Sequence, residues 1–247
     1  LYERALKIRE QALGPEHPDT ATSLSNLALL HQAAGDYATA RALYKRVLDI
    51  RMRIFGPRHS QTAASVTNLA SLLQAQGDYT NARNLYEHAL EINEQALGPE
   101  HPDTATSLNN LALLYKAQGD LIAARRLYER ALSIREEVLG PNHPDTATTL
   151  NNLASLLYEL GDLENARPLC ERALSIRART LGPHHPHTIA SMTNLGLLYR
   201  DAGQYPEAHQ MLRRALTLRE GLQGPDHPNV QRLRQIVTQI ERFVNIS

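Results

Sequence analysis

Five asparagines recur along the chain at intervals of 42 residues, and their amides are the first candidates for binding chemistry. An asparagine side chain both donates and accepts hydrogen bonds, so it can pair with one peptide unit of a ligand as a neighbouring strand would. The same amide can instead bond a neighbouring helix and hold the protein together. The sequence leaves both roles open. The set comprises Asn26, Asn68, Asn110, Asn152 and Asn194.

Catalytic and metal-binding chemistry has less support in the sequence. The phosphate-binding pattern Gly-x-x-x-x-Gly-Lys does not occur, and no nucleophile–base set stands out from the surface charge. Histidines fall one per loop at 42-residue spacing, and we expect them to structure those loops near helix N-termini. The cluster at 184–187 has no thiol or carboxylate set at ligand spacing. We therefore expect a non-enzyme with no cofactor and no metal.

The amino-acid composition further limits the kinds of partner to be expected. Lys plus Arg and Asp plus Glu each total 26, so the net charge is zero and neither nucleic acid nor a membrane surface is an expected partner. No apolar run is long enough to span a membrane. The single cysteine, Cys170, excludes a disulfide within the chain and is expected to be a small core residue. A cytoplasmic location fits these features.

The helix-breaking residues, glycine and proline, recur with a strict period. Eleven of the 13 glycines and eleven of the 13 prolines lie on series spaced by 42 residues. A fixed period of this size is typical of a solenoid of stacked helical units, whereas a globular domain would scatter its turn residues.

Each unit is predicted to be a pair of helices. Apolar residues spaced by three and four positions form a stripe that begins after Pro18 and stops at Gly35. Asp36 is placed to cap the second helix, which Gly56 ends. Small residues at fixed registers should let the two helices approach closely. The residues equivalent to Asp36 are Asp78, Asp120 and Asp162, with Gln204 as a weaker exception.

The motifs resemble a known repeat. The segments 108–115 (LNNLALLY), 119–120 (GD) and 127–132 (LYERAL) resemble the tetratricopeptide repeat. The 42-residue length, with Leu-Gly-Pro-x-His-Pro-Asp between units, is similar to the repeats of kinesin light chains and of bacterial proteins such as STAND-type ATPase sensor regions. The resemblance implies an all-α fold, a right-handed superhelical α-solenoid of antiparallel helix pairs whose first helices line a concave groove.

Close identity between the copies favours a bacterial sensor or scaffold. Segments 14–55 and 98–139 share 27 of 42 residues, whereas kinesin-light-chain repeats diverge more. The chain begins inside a second helix, so we expect a piece of a longer protein and possible end-to-end self-association. A single array over 1–247 is expected to comprise a truncated repeat at 1–14, repeats at 15–56, 57–98, 99–140, 141–182 and 183–224, and a capping helix at 225–247.

The resemblance also implies which residues would contact a ligand. In this family the asparagine register faces the groove, and the cations that grip a ligand carboxylate are missing there. We therefore expect a protein or extended peptide ligand read by its backbone and shape. The alternatives are a kinesin-light-chain-type cargo adaptor and a purely architectural or self-assembling array. Besides the five asparagines, the expected groove residues are Asn109, Asn151, Thr22, Thr106, Thr148, Lys116 and Arg200.

Overall fold

A computed structural model describes residues 2–244, and within that range it contains twelve α-helices and no strands. The remaining positions of the expected array, 1 and 245–247, lie outside the described residues. The helices are α1 (Tyr2–Leu13), α2 (Pro18–Ala33), α3 (Tyr37–Phe55), α4 (Ser60–Ala75), α5 (Tyr79–Leu97), α6 (Pro102–Ala117), α7 (Leu121–Val138), α8 (Pro144–Glu159), α9 (Leu163–Thr180), α10 (Pro186–Asp201), α11 (Tyr205–Gln223) and α12 (Pro228–Val244).

The even-numbered helices, here called first helices, each begin after a histidine. The ring Nδ1 of His17 accepts a 3.2 Å hydrogen bond from the backbone N–H of Asp19, which satisfies one of the free donors at the start of α2. The expected loop-structuring role of the histidines is confirmed. The equivalent bonds are made by His59, His101, His143, His185 and His227.

The odd-numbered second helices use an aspartate for the same purpose. Asp36 Oδ1 accepts a 3.2 Å bond from the backbone N–H of Thr39 at the start of α3. Gln204 makes no side-chain cap at α11, and within residues 2–244 its buried Oε1 has no hydrogen-bond partner. Both the caps and the exception are confirmed. The equivalent caps are Asp78, Asp120 and Asp162.

Periodic glycines end the helices. The eleven glycines on the 42-residue series are the eleven with positive φ among residues 2–244, between 75° and 97°. Gly35, at φ 81°, follows α2 in a backbone conformation that L side chains rarely adopt. The two glycines off the series, Gly196 and Gly221, lie inside helices.

The chain divides into two compact units, and the division falls between Ile134 and Arg135 within α7. In the first unit α2 packs on α3 and α4 on α5, while α3 packs on α4 and α5 on α6. In the second unit α8 packs on α9 and α10 on α11, while α9 packs on α10 and α11 on α12. Short connections make each pair an antiparallel hairpin, whose apolar stripe is covered by its neighbour in the same unit.

Small side chains bring the paired helices together, as the sequence predicts. Ala28 and Ala40 are fully buried against Tyr44 in the first unit. In the second unit Gly196 approaches Leu212 so closely that an added Cβ would lie 2.5 Å from Leu212 Cγ. Cys170 is 1% exposed, and burial raises the pKa of its thiol to about 12, which confirms it as a core residue.

No helix within residues 2–244 combines the length and the apolar character that crossing a bilayer requires.

Candidate ligand-binding site

Two of the recurring asparagines join neighbouring first helices. In the first unit Asn68 Nδ2, on α4, donates a 3.0 Å hydrogen bond to Ser25 Oγ on α2. In the second unit Asn194 Nδ2, on α10, donates a 3.2 Å bond to Asn151 Oδ1 on α8. These side chains therefore hold first helices together, and their amide oxygens remain available as acceptors for a ligand.

Asn110 differs from these two. Its amide has no hydrogen-bond partner among the described residues, and it lines two hollows that lie between α4 and α6. The larger hollow has a volume of about 530 Å³ and the smaller about 380 Å³. Both include Thr67, Asn68 and Asn110, so they form one surface, here called the α4–α6 trough.

The α4–α6 trough is polar and almost free of charge. At one end Tyr86, deep between the helices, donates a 3.1 Å bond to Gln74 Oε1, and burial raises the pKa of that phenol to about 12. At the other end the wall includes Thr106 and the floor includes Asn93. Among the described residues no lysine or arginine lines either hollow, so neutral donors and acceptors dominate.

A different hollow in the second unit is cationic. It has a volume of about 400 Å³ and is lined by Tyr158, Thr193 and three arginines, Arg200, Arg219 and Arg232. Arg200 Nε bonds Asp201 Oδ1 at 2.6 Å, and this bond lowers the pKa of the Asp201 carboxyl. The carboxylate of Asp201 therefore largely neutralises the positive charge of Arg200.

Arg219 and Arg232 carry the remaining charge, because neither makes an ion pair within residues 2–244. Burial lowers the pKa of the Arg219 guanidinium, which indicates an incompletely solvated cation. Sequence reasoning missed both residues, since Arg219 belongs to a second helix and Arg232 to the atypical α12. The available signal was the 42-residue series that Arg219 shares with Arg51, Arg135 and Arg177.

Those three arginines are buried cations that sequence reasoning also overlooked. Arg177 Nη1 donates to His187 O at 3.2 Å and Ser191 Oγ at 2.8 Å, while Nη2 reaches Thr148 Oγ1 at 3.4 Å. The guanidinium thus lies between α8 and α10. Burial lowers the pKa of this group and of Arg51 and Arg135.

The other predicted site residues have the following positions. The hydroxyls of Thr22, Thr106 and Thr148 bond backbone carbonyls four residues earlier in their own helices. Asn109 is only 7% exposed, Asn26 is exposed, and Asn152 is half-buried on α8. Lys116 is half-buried near the end of α6.

Metal-ligating residues do not converge in the part of the chain that the structure describes. No group of three or more His, Cys, Asp or Glu side chains is placed to hold an ion within residues 2–244. In the predicted histidine cluster, the ring centroids of His185 and His187 are 5.2 Å apart.

The fold is that of an all-α repeat protein of the α-solenoid class, built from capped helix hairpins. The sequence model of the tetratricopeptide repeat matches residues 1–53, 24–76, 61–137, 112–167 and 145–221. The chain belongs to the tetratricopeptide repeat family. Repeats of this family are typically non-catalytic scaffolds for protein–protein interactions.

Solved structures confirm the similarity to kinesin-light-chain-like repeats. The chain is similar to BtubC (BKLC) from P. vanneervenii, with a TM-score of 0.72 and 27% identity over 92% of this chain and 89% of that one. It is also similar to nearly identical TPR-like kinesin light chain repeats from Podosopora anserina, with a TM-score of 0.65 and 30% identity over 84% of this chain and 98% of that one. No curated protein matches the chain.

Proposed function

We propose that the chain is a non-catalytic scaffold or sensor module that binds an extended peptide segment of another protein along a concave groove lined by the asparagine register. The observation that carries this proposal is the α4–α6 trough, where the amide of Asn110 has no partner among the described residues. An unused donor and acceptor pair on a polar, uncharged surface suits the backbone of a ligand. The family's typical role in protein interactions supports the same assignment.

The geometry of helix stacking suits such a ligand. Neighbouring packed helices lie about 8–10 Å apart, and an extended peptide advances about 3.3 Å per residue. One asparagine can therefore meet roughly every third residue of a bound strand. At the α4–α6 trough the ligand meets neutral groups, so its affinity should depend only mildly on salt.

The second unit offers a place for a ligand's acidic group. Arg219 and Arg232 face one hollow and make no ion pair among the described residues. A carboxylate that binds there gains charge-assisted hydrogen bonds. A ligand that spans this hollow should lose affinity more steeply with salt than one confined to the α4–α6 trough.

The experiment selects peptides from a random linear library displayed on phage and measures their affinity for single variants. Asn110→Ala should weaken binding about tenfold, because it removes two hydrogen bonds to the ligand and none to the protein. Asn84→Ala, at an exposed position on the second helix α5 and outside the asparagine register, is the matched control. Selected peptides that bind Asn110→Ala and the parent chain equally, or no selectable peptide at all, would contradict the proposal.

Two cellular roles would suit such a module. We propose a cytoplasmic protein in which the repeats sense or gather partners, as in bacterial STAND-type ATPases, with a kinesin-light-chain-type cargo adaptor as the alternative. The full-length gene separates them, because a nucleotide-binding module beside the repeats supports the sensor and a heptad coil supports the adaptor. The similarity to the Podosopora anserina repeats favours neither, since it lies in the repeats alone.

An architectural array without a ligand is the second candidate. The bonds Asn68–Ser25 and Asn194–Asn151 favour it, because they give the recurring amides a role inside the protein. An array that self-assembles end to end should show an average mass that rises with concentration in sedimentation equilibrium. A monomer at all concentrations that captures peptides would exclude this candidate.

A further inference from the structure

One repeat lacks the arginine that the others place between helices. The series spaced by 42 residues reads Arg9, Arg51, Asn93, Arg135, Arg177 and Arg219. Asn93, on α5, is the single member of the series that is not an arginine. It is 6% exposed and lies on the floor of the smaller hollow of the α4–α6 trough.

The arginines of the series show what this position normally holds. Arg51 Nη1 donates to Gln61 O at 3.1 Å and to Ser65 Oγ at 3.2 Å. Arg135 and Arg177 bond the equivalent pair of acceptors, a carbonyl ten residues later and a hydroxyl fourteen residues later. The space between successive first helices is therefore lined by acceptors that suit a guanidinium.

Asn93 reaches the same two acceptors with a shorter side chain. Its Nδ2 donates to Asp103 O at 3.4 Å and to Ser107 Oγ at 2.9 Å. A carbonyl only accepts, so the bond to Asp103 fixes which end of the amide carries the nitrogen. Asn93 Oδ1 is therefore the amide atom that does not face these two acceptors. This buried oxygen has no hydrogen-bond partner within residues 2–244.

A buried acceptor without a donor is unfavourable, so a ligand that supplies the donor gains binding energy. The lining of the hollow points to a cationic donor. Thr67, Asn68 and Asn110 add further acceptors to its walls. Among residues 2–244, the one charged side chain in the lining is the carboxylate of Asp103. The volume of about 380 Å³ accommodates a guanidinium group.

We propose that this hollow is a specificity pocket for an arginine side chain of the bound peptide, whose guanidinium donates to Asn93 Oδ1. The ligand would thereby supply the group that the chain itself supplies in the other repeats. Asn93 lines the hollow but its Oδ1 is buried, so binding requires the side chain to turn toward the ligand. This inference rests on the proposed peptide-binding function and adds a side-chain preference to it.

The experiment titrates N-acetyl-arginine amide into the full chain labelled with ¹⁵N. The side-chain amide resonance of Asn93 should shift saturably, whereas N-acetyl-norleucine amide should leave it in place. N-acetyl-lysine amide should bind more weakly, because an ammonium lacks the planar fork of donors. Asn93→Arg should weaken binding roughly tenfold or more by filling the pocket, and it should fold because arginine occupies this position elsewhere in the series.

Two variants complete the test. Gln95→Arg adds the same charge on the exposed side of α5 and should bind the probe like the parent chain. Asn93→Leu removes the acceptor without adding charge and should also lose binding. A probe that shifts no Asn93 resonance, or that binds Asn93→Arg as well as the parent, would overturn the pocket. Library peptides that still depend on Asn110 in that event would leave the proposed function intact.

Discussion

Asn194 Nδ2 on α10 donates a 3.2 Å hydrogen bond to Asn151 Oδ1 on α8. The same oxygen accepts from Ser191 Oγ at 3.3 Å, and Ser191 Oγ accepts from Arg177 Nη1 at 2.8 Å. Four polar side chains from three helices thus form one network in the second unit. Each loses bonding partners if its neighbour is removed, so their contributions to stability should not be additive.

A double-mutant cycle on Asn151 and Asn194 tests this network. Each alanine variant should lower the free energy of unfolding by about 1 kcal/mol, with Asn151→Ala the more harmful because it leaves two donors without an acceptor. The coupling energy should be about 0.5–1.5 kcal/mol. Urea unfolding followed by circular dichroism measures it. Asn26→Ala should be neutral, and strictly additive effects would show that the bond contributes nothing.

Gly196 should resist substitution although it lies inside a helix. Gly196→Ala gains helix propensity of about 1 kcal/mol, but the new Cβ would lie 2.5 Å from Leu212 Cγ. We expect a net loss of about 1–3 kcal/mol in thermal unfolding. Leu212→Cys should restore stability, because Ala154 and Cys170 occupy the equivalent positions one repeat earlier. A Gly196→Ala variant as stable as the parent would refute the close approach.

Gln204 stands at the start of α11, where the preceding hairpins have a capping aspartate. Gln204→Asp should install the bond that Asp162 makes to the backbone N–H of Asn165 and should raise the free energy of unfolding by about 1 kcal/mol. It also removes the buried Oε1 that has no partner among the described residues. Asp162→Ala, measured in parallel by urea unfolding, should lose a similar amount. Equal stability of Gln204→Asp and the parent would argue against the cap.

The caps should make stability depend on pH in the acid range. Hydrogen bonds from the side chain and then the backbone of Asn81 lower the pKa of Asp78 below its ordinary value of 3.8. The folded state therefore favours the carboxylate. Its contribution is fully present above that ordinary pKa and is lost as the pH falls through the folded pKa.

Asp78→Asn tests this dependence because it keeps the accepting oxygen and cannot be protonated in this range. Urea midpoints near neutral pH should change little, while the decline below about pH 4 should become shallower. Asp36, whose pKa is lowered by bonds from Thr39, can be changed in the same chain to enlarge the effect. An unchanged acid decline in the double variant would assign that decline to other carboxylates.

Local chemistry explains why so much of the fold follows from the sequence. A histidine, an aspartate or a glycine acts within a few residues of itself, so His17, Asp36 and Gly35 mark the helix ends before any packing is known. The 42-residue period then transfers these assignments from one repeat to the next. Even the exception at Gln204 is visible, because it breaks a pattern that the other repeats keep.

The site is less predictable because its properties depend on residues far apart in the chain. The register of Asn68 and Asn110 is plain, but only the structure shows that Asn68 bonds Ser25 while Asn110 has no partner among the described residues. The cationic hollow requires Arg219 and Arg232 from different helices to face the same space. The substitution at Asn93 is visible in the sequence, yet its meaning depends on the buried neighbours.

The bonds between second helices recur at one constant offset. Arg46 pairs with Glu10 and Arg130 with Glu94 in the first unit, and Arg172 pairs with Glu136 in the second, always 36 residues apart. Duplication of a 42-residue block by recombination between repeats that carry both residues would therefore preserve this pairing. Such exchanges would lengthen or shorten the row of first helices in whole repeats, and a distinctive residue such as Asn93 would be copied or lost with its repeat.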